Sequence, residues 1–484
     1  MCLAGAACFD VNMSDARFRQ LLKGGSFMGF MTYDEFWRHI NDLLADEQNA
    51  RFLSRPTKFG STFEGNDLRA LYVTDDSSQL DSFLRHKNIV YVNSMHHARE
   101  PLSLTMILLI VRELLLSLRS PLPTKFKEFF KDNVLFLVPV VNTDSYLYIT
   151  RNYKRSSNRE EVLMIRKNRH IAAACGPLTG GVDLNRNYSF KFGLNESGSS
   201  SDPCAEDYRG EYPFSEPETA AIKRYLDSHP NVVSGINIHT YGNTWIYPYN
   251  FIADKSDQYL KQKKPLFFNF FKEFEREMKD KKFQTIFGNS AFTLDYPTNG
   301  EAGDWLLDEK NIINLDVELG NLDERSNQFY PPAEIHDQIV IFNWSVMREF
   351  FYRHIVDLQL KRLIKTPKKG VYKFEIFNKS LSSLKNFSGI LSPIFKLNSR
   401  GYKPEHTIAY TIKDGTGQRQ VPIPVIGKTI NTTLKGRHTL VIIVKTGVSL
   451  EIDLLDSIQL RIKRNFPNKQ YEDQKYRFST SSEI

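Results

Sequence analysis

The chain has 484 residues, 41% of them hydrophobic and 25% charged, with a net charge of +8. This composition fills two or three domains and excludes disorder over the bulk of the chain, and a surplus of that size, gathered around Lys361–Lys369 and Arg461–Arg464, does not call for a nucleic acid partner. No stretch reaches the roughly 18 apolar residues that a membrane-crossing helix needs, because Leu104–Leu118 is broken by Arg112 and Glu113.

Residues 1–30 have weak periodicity and read as a leader or surface arm; Met1–Phe9 is a short apolar run with no basic leader, a poor match to a signal peptide. Helical spacing begins at Met31 and runs to Leu53 (Phe36, Ile40, Leu43, Leu44), with Thr32 as N-cap. Strands and helices then alternate. Strand patterns are predicted at Asn88–Asn93, Val134–Val141, Val232–His239 and Ile312–Glu318. Helices are predicted at Leu102–Leu118, at Pro217–Leu226, and at Ala333–Ile355 after Pro331-Pro332. Such alternation predicts an α/β domain over 31–360, with a mixed, mostly parallel sheet and helices on both faces. Beyond a basic linker at Lys361–Lys369, short β-type runs at Gly370–Phe377, Thr407–Ile412, Val421–Ile426 and His438–Val444 predict a small all-β sandwich at 366–463. A polar tail, 464–484, follows and is expected to be unstructured.

The residues with chemistry start at His97-Ala98-Arg99-Glu100, just after the first predicted strand. A histidine and a carboxylate three residues apart on one turn can both point at one metal ion, and zinc takes both donor types. Taken singly, the pair also fits a surface histidine beside a glutamate. His239 ends a strand, where open α/β sheets gather their ligands, and it equally fits a solvated strand end. Glu318 lies among Ile312, Ile313, Leu315, Val317 and Leu319, where a carboxylate is costly unless paired or functional. His96 reads as structural, since adjacent residues on a turn do not face the same way.

Five segments in order resemble the zinc carboxypeptidases of the carboxypeptidase A type, the M14 family. They are His97-Ala98-Arg99-Glu100, Ile165-Arg166-Lys167-Asn168-Arg169, Asp183-Leu184-Asn185-Arg186-Asn187, Ile238-His239-Thr240-Tyr241 with Tyr247-Pro248-Tyr249, and Tyr296 to Glu318 with Gly300 and Asp304-Trp305 between. The resemblance spans about residues 31–355 and implies the zinc carboxypeptidase fold, with an eight-stranded-type sheet. It also implies the roles. His97, Glu100 and His239 hold one Zn2+, and Glu318 is the general base on a metal-activated water. Arg99 and Arg166 polarise the scissile carbonyl. Asn185, Arg186 and Tyr296 clamp the free C-terminal carboxylate of a peptide substrate, with Tyr241 lining the cleft. Asp183 accepts a hydrogen bond from His97. Gly303 closes the pocket for the departing side chain without adding charge. Asp316, two before Glu318, faces the same side, so a basic residue is favoured there unless a protein neighbour neutralises the acid.

Cys175 and Cys204 correspond to a pair bridged in secreted members of the family; a loop of that size is worth roughly 3–4 kcal/mol in the chain-entropy model. With the sequons at Asn187, Asn195, Asn378 and Asn431, the pair points to secretion or an acidic, lysosome- or vacuole-like organelle, and a monomer is expected. Two other functions compete. A zinc-dependent amide or acyl hydrolase of small molecules would not need the clamp at Asn185, Arg186 and Tyr296. A non-catalytic binding protein would lack a ligand or the base, and none is missing.

Overall fold

The structure, a computed structural model, describes residues 16–355 and, beyond them, chiefly the strands between Leu358 and Ser479. One compact unit takes in most of the chain up to Phe350. The second takes in Asp81–Asn88, Glu128–Asn133 and the chain from Phe351 on.

The first unit is built on eight strands: β1 Thr57–Ser61, β2 Asp67–Val73, β3 Asn88–Ser94, β4 Asn133–Val138, β5 Val232–Thr240, β6 Thr244–Ile246, β7 Ile286–Gly288 and β8 Ile313–Leu319. Their order across the sheet is β1-β2-β4-β3-β5-β8-β6-β7. Parallel pairing joins β3 to β5 and β5 to β8. At the margins, β1 with β2, β2 with β4, and β6 with β8 are antiparallel. The central strands are buried along nearly their whole length, which is why they read as apolar runs rather than alternations. The short β6 and β7 carry too few residues to show a period.

Helices pack on this sheet: Leu102–Arg119 against β5, Ala302–Asp308 against β8 and Pro217–Ser228 against β1. Leu102–Arg119 buries Leu104, Met106, Ile107, Leu108, Leu109, Ile110 and Val111 in succession, so it is apolar nearly all round. Each such side chain contributes roughly 1.5–3 kcal/mol on burial. Thr32 caps Tyr33–Leu44 as expected: its hydroxyl accepts from Glu35 N at 3.2 Å, and the Glu35 carboxylate accepts from Thr32 N at 2.9 Å. That helix stops at Leu44 rather than continuing to Leu53, and a separate turn, Glu47–Ala50, starts on the Asp46 cap.

Beyond the first unit, the expected basic linker begins as a strand, Leu358–Lys365, antiparallel to Val371–Asn378. Gln474–Ser479, in the expected tail, lies antiparallel to Leu455–Phe466; Tyr476 and Phe478 alternate there with Lys475 and Arg477, the period of a strand. The face-to-face packing of a sandwich over 366–463 lies outside the described residues, as does the N-terminal arm before Ala16.

Three features of this architecture position the site. The carboxyl ends of β3, β5 and β8 point the same way. In the β5–β8 register His239 stands opposite Glu318 and Asn237 opposite Asp316. Side chains two apart on a strand share a face, so these two pairs lie one above the other on one side of the sheet.

Candidate metal centre

After β3 the chain turns through Met95, which sits in the left-handed region at φ 57°, and delivers His96 and His97 into the interior. Asn142 ties this turn to the Arg166 loop, donating to His96 O at 3.2 Å and Arg166 O at 3.1 Å. Ala98 N donates to Arg166 O at 3.2 Å.

His97, Glu100 and His239 converge and are all buried. His97 Nδ1 lies 2.7 Å from Glu100 Oε1, and His239 Nδ1 lies 3.0 Å from Glu100 Oε2. The two Nδ1 atoms are 3.2 Å apart. His97 Nε2 faces Asp183 Oδ1 at 3.2 Å. A carboxylate only accepts, so the His97 proton belongs on Nε2 and the Nδ1 lone pair faces the centre. Two imidazole nitrogens aimed at each other across a carboxylate, with a carboxylate behind one of them, form a donor set suited to a zinc ion. His239 Nε2 and Glu318 Oε2 are buried without partners among the described residues, which leaves Glu318 free to accept.

Charge is arranged around this centre. Burial would raise the Glu100 and Asp183 carboxyls, but their cationic and imidazole neighbours outweigh it and hold both below the usual range. For Asp183 the largest such neighbour is Arg166, which grips Oδ2 with Nε at 2.9 Å and an Nη at 2.8 Å. The other Arg166 Nη lies 3.2 Å from His97 Nδ1. Asp183 and Glu100 in turn keep Arg166 charged in spite of its burial. Glu318 is different: burial and the nearby Glu100 push its carboxyl well up, against Arg166.

The remaining predicted residues fall into three places. Asn185 is buried, with Oδ1 accepting from Ala302 N at 3.0 Å. Arg186 is buried beside it. Tyr296 is 47% exposed, yet near enough to act on Arg166 electrostatically. Tyr241 stands edge-on to Phe329 with ring centres 4.9 Å apart. Arg99, expected at the scissile carbonyl, is not on the triad. Its guanidinium lies over Phe329 at 4.3 Å, and one Nη bonds Glu206 at 3.1 Å and Met164 O at 3.2 Å. The cause is local: Arg99 sits between ligands three apart on one turn, and intervening side chains do not share their face. His96, read as structural, is fully buried and bonds Tyr188 Oη at 2.8 Å. Lys167 and Arg169, which flank the same loop, are tied to the protein: Lys167 reaches Ala205 O at 2.6 Å, and Arg169 covers the Tyr148 ring at 4.0 Å.

Asp316 and Gly303 form a second cluster. Asp316 Oδ1 accepts from Asn237 at 2.5 Å and Asn314 at 2.8 Å. Its neighbour is not a cation but another acid, Glu301, and burial and Glu301 together push the Asp316 carboxyl well up. Glu301 caps the helix Ala302–Asp308, accepting from Gly303 N at 2.6 Å and Asp304 N at 2.5 Å. The sequence reading missed Glu301 and Phe329; an acid three before Asp304 at the head of a short apolar helix was the available signal for the first.

Cys175 and Cys204 are bridged, with Cα atoms 5.4 Å apart. Of the sequons, Asn187 is fully buried and its Nδ2 donates to Arg209 O and Ser215 Oγ, so it is no glycan acceptor, whereas Asn195 is exposed. No helix among the described residues is long and apolar enough to cross a membrane.

The profile described as "Zinc carboxypeptidase" matches residues 42–344. Carboxypeptidase A1 of Rattus norvegicus is 28% identical over 47% of this chain and 49% of its own length. Carboxypeptidase B of Bos taurus is 29% identical over 56% of this chain and 59% of its own. The chain thus spans about half the length of the curated relatives it matches. Bovine thrombin-activatable fibrinolysis inhibitor, solved in complex with tick carboxypeptidase inhibitor, superposes with a TM-score of 0.52 over 68% of this chain and 99% of its own, at 23% identity, a likeness of fold.

Proposed function

The chain belongs to the zinc carboxypeptidase family, and from that premise we propose that it removes single residues from the C-termini of peptides and proteins. One observation carries the reading: His97 and His239 Nδ1 and the Glu100 carboxylate meet beside a buried Glu318 oxygen that has no partner among the described residues. A zinc ion held by that triad supplies a Lewis acid that polarises a carbonyl and makes water more acidic.

The chain's own residues do the rest. Glu318 takes the proton of the attacking water and returns it to the leaving amine; a carboxyl raised by burial is a better match to that task near neutral pH than an exposed one. Arg166, kept charged by Asp183, places a fixed cation where the carbonyl oxygen gains negative charge. Asp183 holds the His97 ring in one orientation. Arg186, Asn185 and Tyr296 receive the substrate's free carboxylate, which makes the reaction exopeptidic. Tyr241, with Phe329 and Arg99, borders the path of the preceding residues. In this reading 31–360 is the catalytic domain and 366–463 an accessory β-domain, and the protein acts as a monomer in an oxidising compartment, which the Cys175–Cys204 bridge supports.

The test uses the full chain and blocked dipeptides, each with a free and an amidated C-terminus. Hydrolysis of the free-acid forms alone, abolished by a chelator and restored by zinc, is the expected result. Equal cleavage of the amides, or none of any substrate by the zinc-loaded chain, would sink it.

A further inference from the structure

We infer that Asn195 is an N-glycosylation site, whose side-chain nitrogen takes an oligosaccharide in the secretory pathway. The inference is independent of the carboxypeptidase reading. It stands on the sequon Asn195-Glu196-Ser197 and on how the fold presents that sequon, which it does not do for the neighbouring one at Asn187.

Transfer needs an amide nitrogen that is free and within reach. Asn195 lies in the irregular stretch between Arg186 and Pro217, and every residue from Gly193 to Ser197 is exposed. An asparagine offers one oxygen to donors and two N–H groups to acceptors. Here all the bonding falls on the oxygen. Asn195 Oδ1 accepts from Ser197 Oγ at 2.8 Å, Ser197 N at 3.1 Å, Gly198 N at 3.0 Å and Asn299 Nδ2 at 3.0 Å. Among the described residues nothing bonds Nδ2. The hydroxyl that defines the sequon is thus turned onto the same amide, and the nitrogen is left for a ligand.

Asn187-Tyr188-Ser189 has the same pattern and the opposite environment. Asn187 is 0% exposed, and its Nδ2 donates to Arg209 O at 2.8 Å, Tyr212 O at 3.2 Å and Ser215 Oγ at 2.9 Å. A sugar there would break these bonds and have to enter the interior.

Two further observations agree with a glycan at Asn195. The residue lies inside the loop closed by the Cys175–Cys204 bridge, and that bridge and a glycan call for the same lumenal route. The modification also spares the contacts the side chain already makes. A bond forms between Nδ2 and the first sugar's anomeric carbon, and that carbon's bond to the diphosphate of a lipid-linked oligosaccharide breaks. One Nδ2 proton is lost, and the lipid diphosphate leaves. Oδ1 stays an amide oxygen, so Asn299, three residues after Tyr296, keeps its support from Asn195 Oδ1 and, at 3.2 Å, from Asn195 O.

The full chain, expressed in eukaryotic cells behind a cleavable secretion signal, tests the site. The signal supplies the route, so the result reads the acceptor and not the compartment. Cleavage after Arg186 and after Lys191 places the two sequons on separate peptides. Treatment with a peptide N-glycosidase in heavy-oxygen water should convert Asn195 to labelled aspartate in most chains and leave Asn187 unlabelled. Ser197→Ala should abolish the label at Asn195 and raise the mobility of the untreated chain by one glycan. Chain retained in the cells is read in the same way, because transfer precedes export. An unlabelled Asn195 peptide overturns the inference. So does a label that persists in Ser197→Ala, which marks spontaneous deamidation, and so does labelling of Asn187 to the same extent.

Discussion

Two sets of buried carboxyls in this chain are stabilised in opposite ways. Around the metal centre, Glu100 and Asp183 face His97, His239 and Arg166, and those partners hold them as anions. In the loop that follows β1, the partners are neutral. Asp144 accepts from Thr62 Oγ1 at 2.6 Å, Glu64 N at 2.8 Å and Asn66 Nδ2 at 2.8 Å, and Glu218 accepts from Phe63 N at 3.1 Å. The difference separates two uses of a buried acid. Cationic and imidazole partners fix a charge and aim it, as a reaction requires. Main-chain and hydroxyl donors satisfy lone pairs and hold a loop in place, as folding requires. Glu301 and Asp316 share the donors of the second set but the location of the first, and that places them with neither.

The largest test of the contrast is at Glu318, whose Oε2 has no donor among the described residues. Glu318→Gln keeps the shape and removes the base. Peptide hydrolysis should fall by about 10³-fold or more while zinc content stays at one ion per chain by elemental analysis. Activity within tenfold of the parent would take Glu318 out of the proton transfer. A smaller effect is expected one shell out. Asp183→Asn leaves His97 with a neutral acceptor and Arg166 without its anion, and zinc affinity, measured by competition with a chromophoric chelator, should weaken by about 10–100-fold. Unchanged affinity would mean that Asp183 serves only to pin Arg166.

Much of this centre was legible before any coordinates because its parts lie at strand ends and on one short turn. His97 and Glu100 share a turn, and His239 and Glu318 each stand one residue before the end of their strands, so spacing alone brings them near a common point once the sheet is parallel at its middle. The placement of Arg99 was not legible in the same way. A motif gives its position on the turn but not its rotamer, which Phe329 and Glu206, more than a hundred residues downstream, decide. Glu301 was hidden for a related reason. In sequence it is an acid ahead of a short helix, where capping is explanation enough. Its meeting with Asp316 depends on the next strand bringing that residue alongside. The marginal strands β6 and β7 escaped because three residues carry no period.

The smallest effect on catalysis, and the clearest on stability, belongs to the second set. Burial pushes the Glu218 carboxyl from its ordinary 4.5 up to about 8. The folded chain therefore binds the proton more tightly than the unfolded chain does. Its stabilising contribution is complete below about pH 4.5 and is lost as pH rises through about 8, since charging a buried acid then opposes folding. Glu218→Gln mimics the protonated form at every pH. Its melting temperature should match the parent near pH 5 and exceed it increasingly toward pH 9, as the stability difference grows to a few kcal/mol at most, on the order set by the shift. Zinc affinity should not move. If the two melting curves instead run parallel across that range, Glu218 is ionised in the folded protein, and neutral donors hold a buried charge as well as cations do, which removes the distinction between the two sets.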